Sequence, residues 1–381
     1  MPANVVILGG GVGGTLTANL LAKRLKPGEA RIQVVDPTGI HVYQPGFQYV
    51  AVGQARAQSL SRDERSLLNR RVELIVDQAT YIDAQAKEVS LGHGGSLPYD
   101  YLVVATGARL VPEQVPGLIE GAHEFYSLEG SLRLREALRG FKGGRLVIGV
   151  AGMPYKCPPA PVEFALLADS FLRKRGVREK TQIDFLSPLN RAFTIESASK
   201  MVARIYAKQG INLHTFVNVE AVDPSRGEVS SLEGESFPYD LLVLVPPHRG
   251  AEFIEKSGLV DRGGWVPTDR HSLAVRGTDG VFAIGDTTDL PISKSGSTAH
   301  YQSPVVVERI AAGVQGVDLA RNKGHYDGKV ACFMETGQGK GTILYFNYER
   351  PPKSPGPYRR WHWAKWAFNR AYWYTVPQGR V

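Results

Sequence analysis

The chain has 381 residues, 43% of them hydrophobic, enough for a large core and too many for one small domain. Its net charge of +8 sits at one end: from Arg321 onward eleven Lys/Arg stand against three Asp/Glu, and the remainder is neutral. Two cysteines cannot staple a secreted disulfide scaffold, no uncharged apolar run of about 18 residues is present to span a bilayer, and the apolar start lacks the basic region of an export signal.

In chain order, Asn4–Leu8 is a short continuous apolar run that predicts a buried parallel strand. A glycine cluster, Gly9 to Gly14, follows it, then an amphipathic helix over about Thr15–Leu25 and a strand at Ile32–Val35 ending in Asp36. Further strands are predicted at Val72–Val76, Glu88–Leu91 and Tyr101–Val104, the last running into Ala105-Thr106-Gly107. A second strand–loop–helix starts at Gly144, with a strand at Arg145–Val150, a helix at Val162–Lys174 and a partner strand at Gln182–Leu186. Pro98-Tyr99-Asp100-Tyr101-Leu102-Val103-Val104 is then echoed by Pro238-Tyr239-Asp240-Leu241-Leu242-Val243-Leu244, and such a repeat predicts two doubly wound lobes. The expected fold is α/β, with two Rossmann-like dinucleotide-binding domains, the second inserted in the first. Residues 1–112 and 236–320 would form the first domain, 113–235 the second, and 321–381 a C-terminal amphipathic, membrane-associated region beyond a stiff proline-rich linker at Pro351–Pro357.

Gly9, Gly11 and Gly14 make a G-x-G-x-x-G turn between strand and helix, with an acid, Asp36, at the end of the next strand. Glycines let the backbone close on a pyrophosphate, whose charge rests on amides at the helix start, and Asp36 can accept from ribose hydroxyls. That turn alone does not separate FAD from NAD. Ala105-Thr106-Gly107 after one strand and Gly285-Asp286 after another resemble the two flavin-contacting motifs of the disulfide-reductase-like flavoproteins. The resemblance implies bound FAD, with Asp286 on its ribityl chain; no metal is expected.

The second lobe departs from that pattern. Its loop is Ala151-Gly152-Met153-Pro154-Tyr155-Lys156-Cys157-Pro158-Pro159, and the next strand ends in Ser187 rather than an acid, although Glu163 stands on the following helix. Prolines lack the N–H donors a pyrophosphate needs, so this lobe is expected to bind no nicotinamide. The segments Lys156–Pro161, Val245–Gly250, Gly285-Asp286 with Lys294-Ser295-Gly296, and Cys332–Gly337 together resemble the sulfide:quinone oxidoreductase family and its relative, the flavoprotein subunit of flavocytochrome c sulfide dehydrogenase. The resemblance implies that Cys157 and Cys332 form a redox pair against the flavin, with Lys294 and Gly296 near its pyrimidine side. Sulfide would open the Cys157–Cys332 bridge, and the electrons would pass through FAD to a membrane quinone. Many bacterial members carry a third cysteine upstream, which is absent here. His41, His248 and His300 are candidate proton carriers without an assigned role.

The end of the chain holds four of the five tryptophans, interleaved with Lys/Arg. Helical spacing would group Trp361, Phe368 and Tyr372, with Trp366 and Trp373 on an adjoining stripe. Amphipathic aromatics beside basic residues suit a membrane surface, on the cytoplasmic side, better than nucleic acid. A C-terminal helix packed on the flavin domain, or in a homo-oligomer, is the plainer reading. Phe333 and Phe346 are the candidates to line a quinone path. The rival functions are a flavocytochrome c-type dehydrogenase, a type II NADH:quinone dehydrogenase and a non-catalytic polysulfide sensor.

Overall fold

An all-apolar strand segment has only one stable place, the middle of a sheet covered on both faces, and Val5–Leu8 occupies it. The computed structural model describes residues 1–319 and 324–380. Arg321 and Lys323 of the basic run, and the expected boundary at 320/321, lie outside them. In chain order, the elements that position the site are β1 (Ala3–Leu8), α1 (Val12–Arg24), β2 (Ala30–Asp36), β3 (Val72–Val76), β4 (Tyr101–Val104), β5 (Gly144–Val150), α2 (Ala160–Lys174), β6 (Thr181–Leu186), β7 (Ile211–His214), β8 (Leu241–Val245), β9 (Val281–Ala283), α3 (Gly296–Gln315), β10 (Val330–Gly337), β11 (Lys340–Phe346) and α4 (Arg359–Ala371).

The first sheet runs β9-β4-β1-β2-β3, all parallel. Leu8 lies beside both Val35 and Val104, so the glycine turn, Asp36 and Ala105–Gly107 leave the sheet at the same edge. This is the carboxyl edge, where doubly wound sheets bind ligands. The second sheet, β7-β6-β5-β8, is parallel as well, and Val150 beside Val245 brings the loops after β5 and β8 together.

Leu241–Val245 is hydrogen-bonded to β5 in the second sheet, so the chain has not gone back to the first lobe at residue 236. The apolar run after Pro238-Tyr239-Asp240 closes the second lobe, as its earlier copy closes part of the first. In each lobe a three-stranded meander precedes the repeat: Ala79–Asp83, Glu88–Leu91 and Ser96–Pro98, then Val219–Asp223, Glu228–Ser231 and Ser236–Pro238, with the register shift at the same place. Both aspartates of the repeat then do the same job. Asp100 accepts the Asn4 amide of β1 at 2.7 Å, and Asp240 accepts the Arg145 amide of β5 at 2.6 Å.

The hairpin β10–β11 lies between α2 and α4. Past α4 the chain turns back onto α1, where Asn19 Nδ2 donates to Pro377 O at 2.7 Å and Lys23 Nζ to Gln378 O at 2.5 Å. Among the described residues no helix is long and apolar enough to cross a membrane.

Candidate active site

The glycine turn is built so that side chains cannot enter it. Gly9 has φ +104°, and a Cβ there would lie 2.6 Å from Ala105 O; one on Gly14 would lie 1.9 Å from Gly9 O. Gly11 instead faces open space, with nothing within 4 Å of a built Cβ. The first turn of α1 carries no acid and no side-chain cap, so its amides are unclaimed and suit an anion. Asp36 ties the turn to β2: Oδ2 accepts from the Gly10 amide at 2.8 Å, and Oδ1 accepts from Thr38 and Gly39. An oxygen with one partner still has room for a ribose hydroxyl.

Asp286 follows β9. Its Oδ1 is sealed from solvent and accepts no hydrogen bond, while burial pushes the carboxyl up against the opposing charges of Lys156 and Lys294. The turn is fixed from behind by Gln302 of α3, whose Oε1 accepts from the Gly285 amide at 2.6 Å. Lys294 Nζ donates to Asp286 O at 3.0 Å and Thr288 O at 2.6 Å, and sits 3.6 Å over the Trp265 ring. Burial brings this ammonium down to about 8. Two of its three donors are therefore committed to the turn. Thr106 Oγ1 lies 3.3 Å from Thr287 Oγ1, while Gly107, at φ +67°, and Gly296, near Val12, border the same region. An open phosphate cradle and an orphaned buried carboxylate oxygen fit FAD, which is this fold's cofactor.

The two cysteines, both free, meet one dipeptide, Cys157 through its backbone and Cys332 through its sulfur. The Cys157 amide donates to Lys294 O at 2.6 Å, and Cys332 Sγ lies 3.9 Å from Ser295 Oγ. Both cysteines are half-buried and pack against the core around α2. Burial pushes both thiols up, and for Cys157 the next upward cause is a charge on Cys332, so the sulfurs lie within electrostatic reach of each other. Cys157 also holds φ +52°, a left-handed backbone that glycine would adopt without strain. Its carbonyl accepts from the Ala160 amide at 2.9 Å and from the Tyr126 hydroxyl at 3.3 Å. Pro159 caps α2, and a Cβ on Gly152 would lie 2.8 Å from the Pro247 ring, so no nucleotide cradle opens here.

Beneath the thiols lies a polar cluster with no sequence signal. Lys365 of α4 and Glu163 of α2, 202 residues apart, form an ion pair with both side chains out of solvent. Tyr49 Oη donates to Glu163 at 3.3 Å, and the charges of both partners reach Cys157 and Cys332. Next to it His362 Nδ1 lies 2.9 Å from Glu335 Oε2. Only separation along the chain hid these partners, because each residue alone reads as an ordinary surface charge.

The aromatic tail divides differently from its helical spacing. Phe333 lies 6.2 Å from Trp361 and 6.1 Å from Phe368, ring to ring. α4 ends at Ala371, so Tyr372 leaves that stripe and is buried 4.3 Å from the Tyr43 ring, its hydroxyl 2.8 Å from His41 Nε2. Trp373 turns towards His41 and Arg62, while Trp363 and Trp366 stay exposed. Strand alternation puts Phe333 and Phe346 on opposite faces of the hairpin, because Phe346 opposes Val330, two places from Cys332. They do not share one wall. His41 is fixed among Thr15, Glu64 and Tyr372, and His300 Nδ1 is buried without a partner.

Comparison with known proteins agrees with this fold. The mitochondrial sulfide:quinone oxidoreductase of Dictyostelium discoideum is 29% identical over 394 residues, which cover 99% of this chain and 86% of that one. Sulfide-quinone reductase of Aquifex aeolicus is 26% identical, with 100% and 93% covered. The X-ray structure of the sulfide:quinone oxidoreductase from Aquifex aeolicus shares the fold, at TM-score 0.88 and 22% identity, covering 100% of this chain and 92% of that one. The family model described as pyridine nucleotide-disulphide oxidoreductase matches residues 3–322, and the chain belongs to that family.

Proposed function

We propose that this protein is an FAD-dependent sulfide:quinone oxidoreductase acting at a membrane surface. The observation that carries the reading is the meeting of the only two cysteines on Lys294-Ser295, the dipeptide that leads from the Asp286 turn into α3. A disulfide-type couple beside a flavin cradle, in a lobe that lacks a nucleotide cradle of its own, calls for a donor that reacts with sulfur. The names of the relatives agree with sulfide as that donor and quinone as the acceptor.

In this reading, hydrosulfide attacks the Cys157–Cys332 bridge; one cysteine becomes a persulfide and the other leaves as a thiolate. FAD, when bound, supplies the two-electron relay between that pair and the quinone. The first lobe holds FAD through Gly9, Gly11, Gly14, Asp36 and Asp286. The second lobe, through Val245, carries Cys157, and the C-terminal region carries Cys332. Phe333 with Trp361 and Phe368 offers the apolar surface for the quinone ring. Exposed Trp363 and Trp366 beside Arg370 provide the interfacial contact.

The test is anaerobic bleaching of the flavin spectrum. Sulfide should bleach it within seconds and NADH should not. Bleaching by NADH alone would make the protein a type II NADH:quinone dehydrogenase instead.

A further inference from the structure

Close to Cys157, one buried nitrogen has nothing to bond. His248 opens the short strand His248–Arg249 after β8, paired with Arg109–Leu110, and is only 5% exposed. Its Nδ1 is 2.8 Å from Pro246 O, a carbonyl that can only accept, so Nδ1 carries the proton and the neutral ring offers a lone pair at Nε2. Burial, and then the charge of Lys156, keep the imidazole neutral, down to about 3. Nε2 is sealed and has no hydrogen-bond partner among the described residues. An acceptor in that state has given up its solvation, which a ligand carrying a hydrogen would restore.

The surroundings indicate which ligand. The Tyr126 ring meets His248 edge-on at 5.3 Å, and the Tyr126 hydroxyl donates to Cys157 O at 3.3 Å. Lys156, immediately before Cys157, is half-buried and makes no hydrogen bond or ion pair among the described residues. Burial pushes this ammonium down against the charges of Asp286, Glu124 and Cys157, and its own charge reaches His248. A cation without a hydrogen-bond partner and an acceptor without a donor thus lie in electrostatic reach of each other, and Tyr126 touches both the His248 ring and the Cys157 carbonyl. A small anion that has one hydrogen to donate satisfies both and can react with Cys157.

We propose that Lys156 and His248 form the binding site for hydrosulfide beside Cys157: Nε2 accepts the S–H, the ammonium balances the charge, and the sulfur lone pairs are left facing the cysteine pair. This rests on the sulfide:quinone oxidoreductase reading. The step balances: the hydrosulfide sulfur forms a bond to one bridge sulfur, the Cys157–Cys332 bond breaks, and the negative charge leaves on the other cysteine as thiolate. No further oxidant enters.

The experiment is stopped-flow reduction of the intact holoenzyme over a range of sulfide concentrations. In His248→Phe and Lys156→Met the half-saturating sulfide concentration should rise about tenfold or more. FAD stoichiometry and the flavin absorption spectrum should not move, and His248→Gln and Lys156→Arg should restore most of the loss. Lys156→Met changes a half-buried side chain and carries the test if His248→Phe does not fold. Unchanged half-saturation in both variants overturns the proposal. So does a His248 variant that loses FAD or shifts its spectrum, since Nε2 then serves the cofactor. A wild-type flavin that sulfide never bleaches removes the parent reading, and this site with it.

Discussion

Lys365 of the C-terminal helix is ion-paired with Glu163 of the helix that follows Cys157, with both side chains out of solvent. Removing one partner of a buried pair strands the other charge. Lys365→Met should therefore destabilise the fold by about 3–5 kcal/mol, and the double change Lys365→Met with Glu163→Gln by clearly less than the sum. Urea unfolding of the four proteins checks this, and additive losses would show that the two residues do not act as a pair.

Cys157→Gly and Cys157→Ala should part company. Both remove the thiol, so neither flavin is reduced by sulfide, as for Cys332→Ser. The left-handed backbone at Cys157, φ +52°, favours glycine, so Cys157→Gly should be more stable than Cys157→Ala by about 1 kcal/mol. Anaerobic titration reads the chemistry and thermal melting reads the strain. Equal stability would mean the turn relaxes once the sulfur is gone.

The glycines make a second contrast. A methyl on Gly14 falls on Gly9 O, whereas one on Gly11 meets nothing. Gly14→Ala should fail to give folded protein. Gly11→Ala should fold as apoprotein with an unchanged melting temperature but retain less FAD, read from the ratio of flavin to protein absorbance. Full FAD content in Gly11→Ala would place the pyrophosphate elsewhere.

His248 predicts an acid limit on stability. Its folded value is depressed to about 3, below the ordinary value near 6.5, so between these pH values the unfolded chain binds the extra proton. The stability it confers is complete above about pH 6.5 and drains away as pH falls towards 3, with a slope of up to about 1.4 kcal/mol per pH unit. Unfolding free energies at pH 6.5 and 5.5 should converge when His248→Gln is compared with wild type. A wild-type curve flat over that interval would show the ring already charged.

Membrane attachment is best tested on the surface of α4. Trp363 and Trp366 are 54% and 45% exposed. Trp363→Ser with Trp366→Ser should cut co-sedimentation with anionic liposomes several-fold and leave flavin bleaching by sulfide intact. Deleting residues 359–381 would not separate the two effects, because it also removes Lys365, Tyr372 and the residues that bind α1.

Local chemistry made the nucleotide-binding half of the site readable. Asp36 ends β2, Gly9 follows β1 and Gly285 and Asp286 follow β9, while Gly11 and Gly14 stand at the start of α1; three predicted strands, Val72–Val76, Glu88–Leu91 and Tyr101–Val104, coincide with the observed ones. Helix starts were less visible: α1 begins at Val12 rather than about Thr15, because its glycine-rich entry conceals the first turn. The Lys365–Glu163 pair, the Glu335–His362 contact and the burial of Tyr372 on His41 depend on tertiary packing, which no local pattern encodes. The free Nε2 of His248 was equally invisible, since a histidine after two prolines gives no hint of what its ring lacks.

Asp100 and Asp240 fasten their lobes in the same way, yet only one lobe keeps a glycine cradle. The first strand of each sheet is anchored alike, yet the loop that follows it is a glycine turn in one lobe and the proline-rich Ala151–Pro159 in the other. Chemical identity here is an exchangeable part: a glycine-rich loop in place of Ala151–Pro159, with an acid for Ser187, would give the second lobe the features of a pyridine-nucleotide site that it lacks.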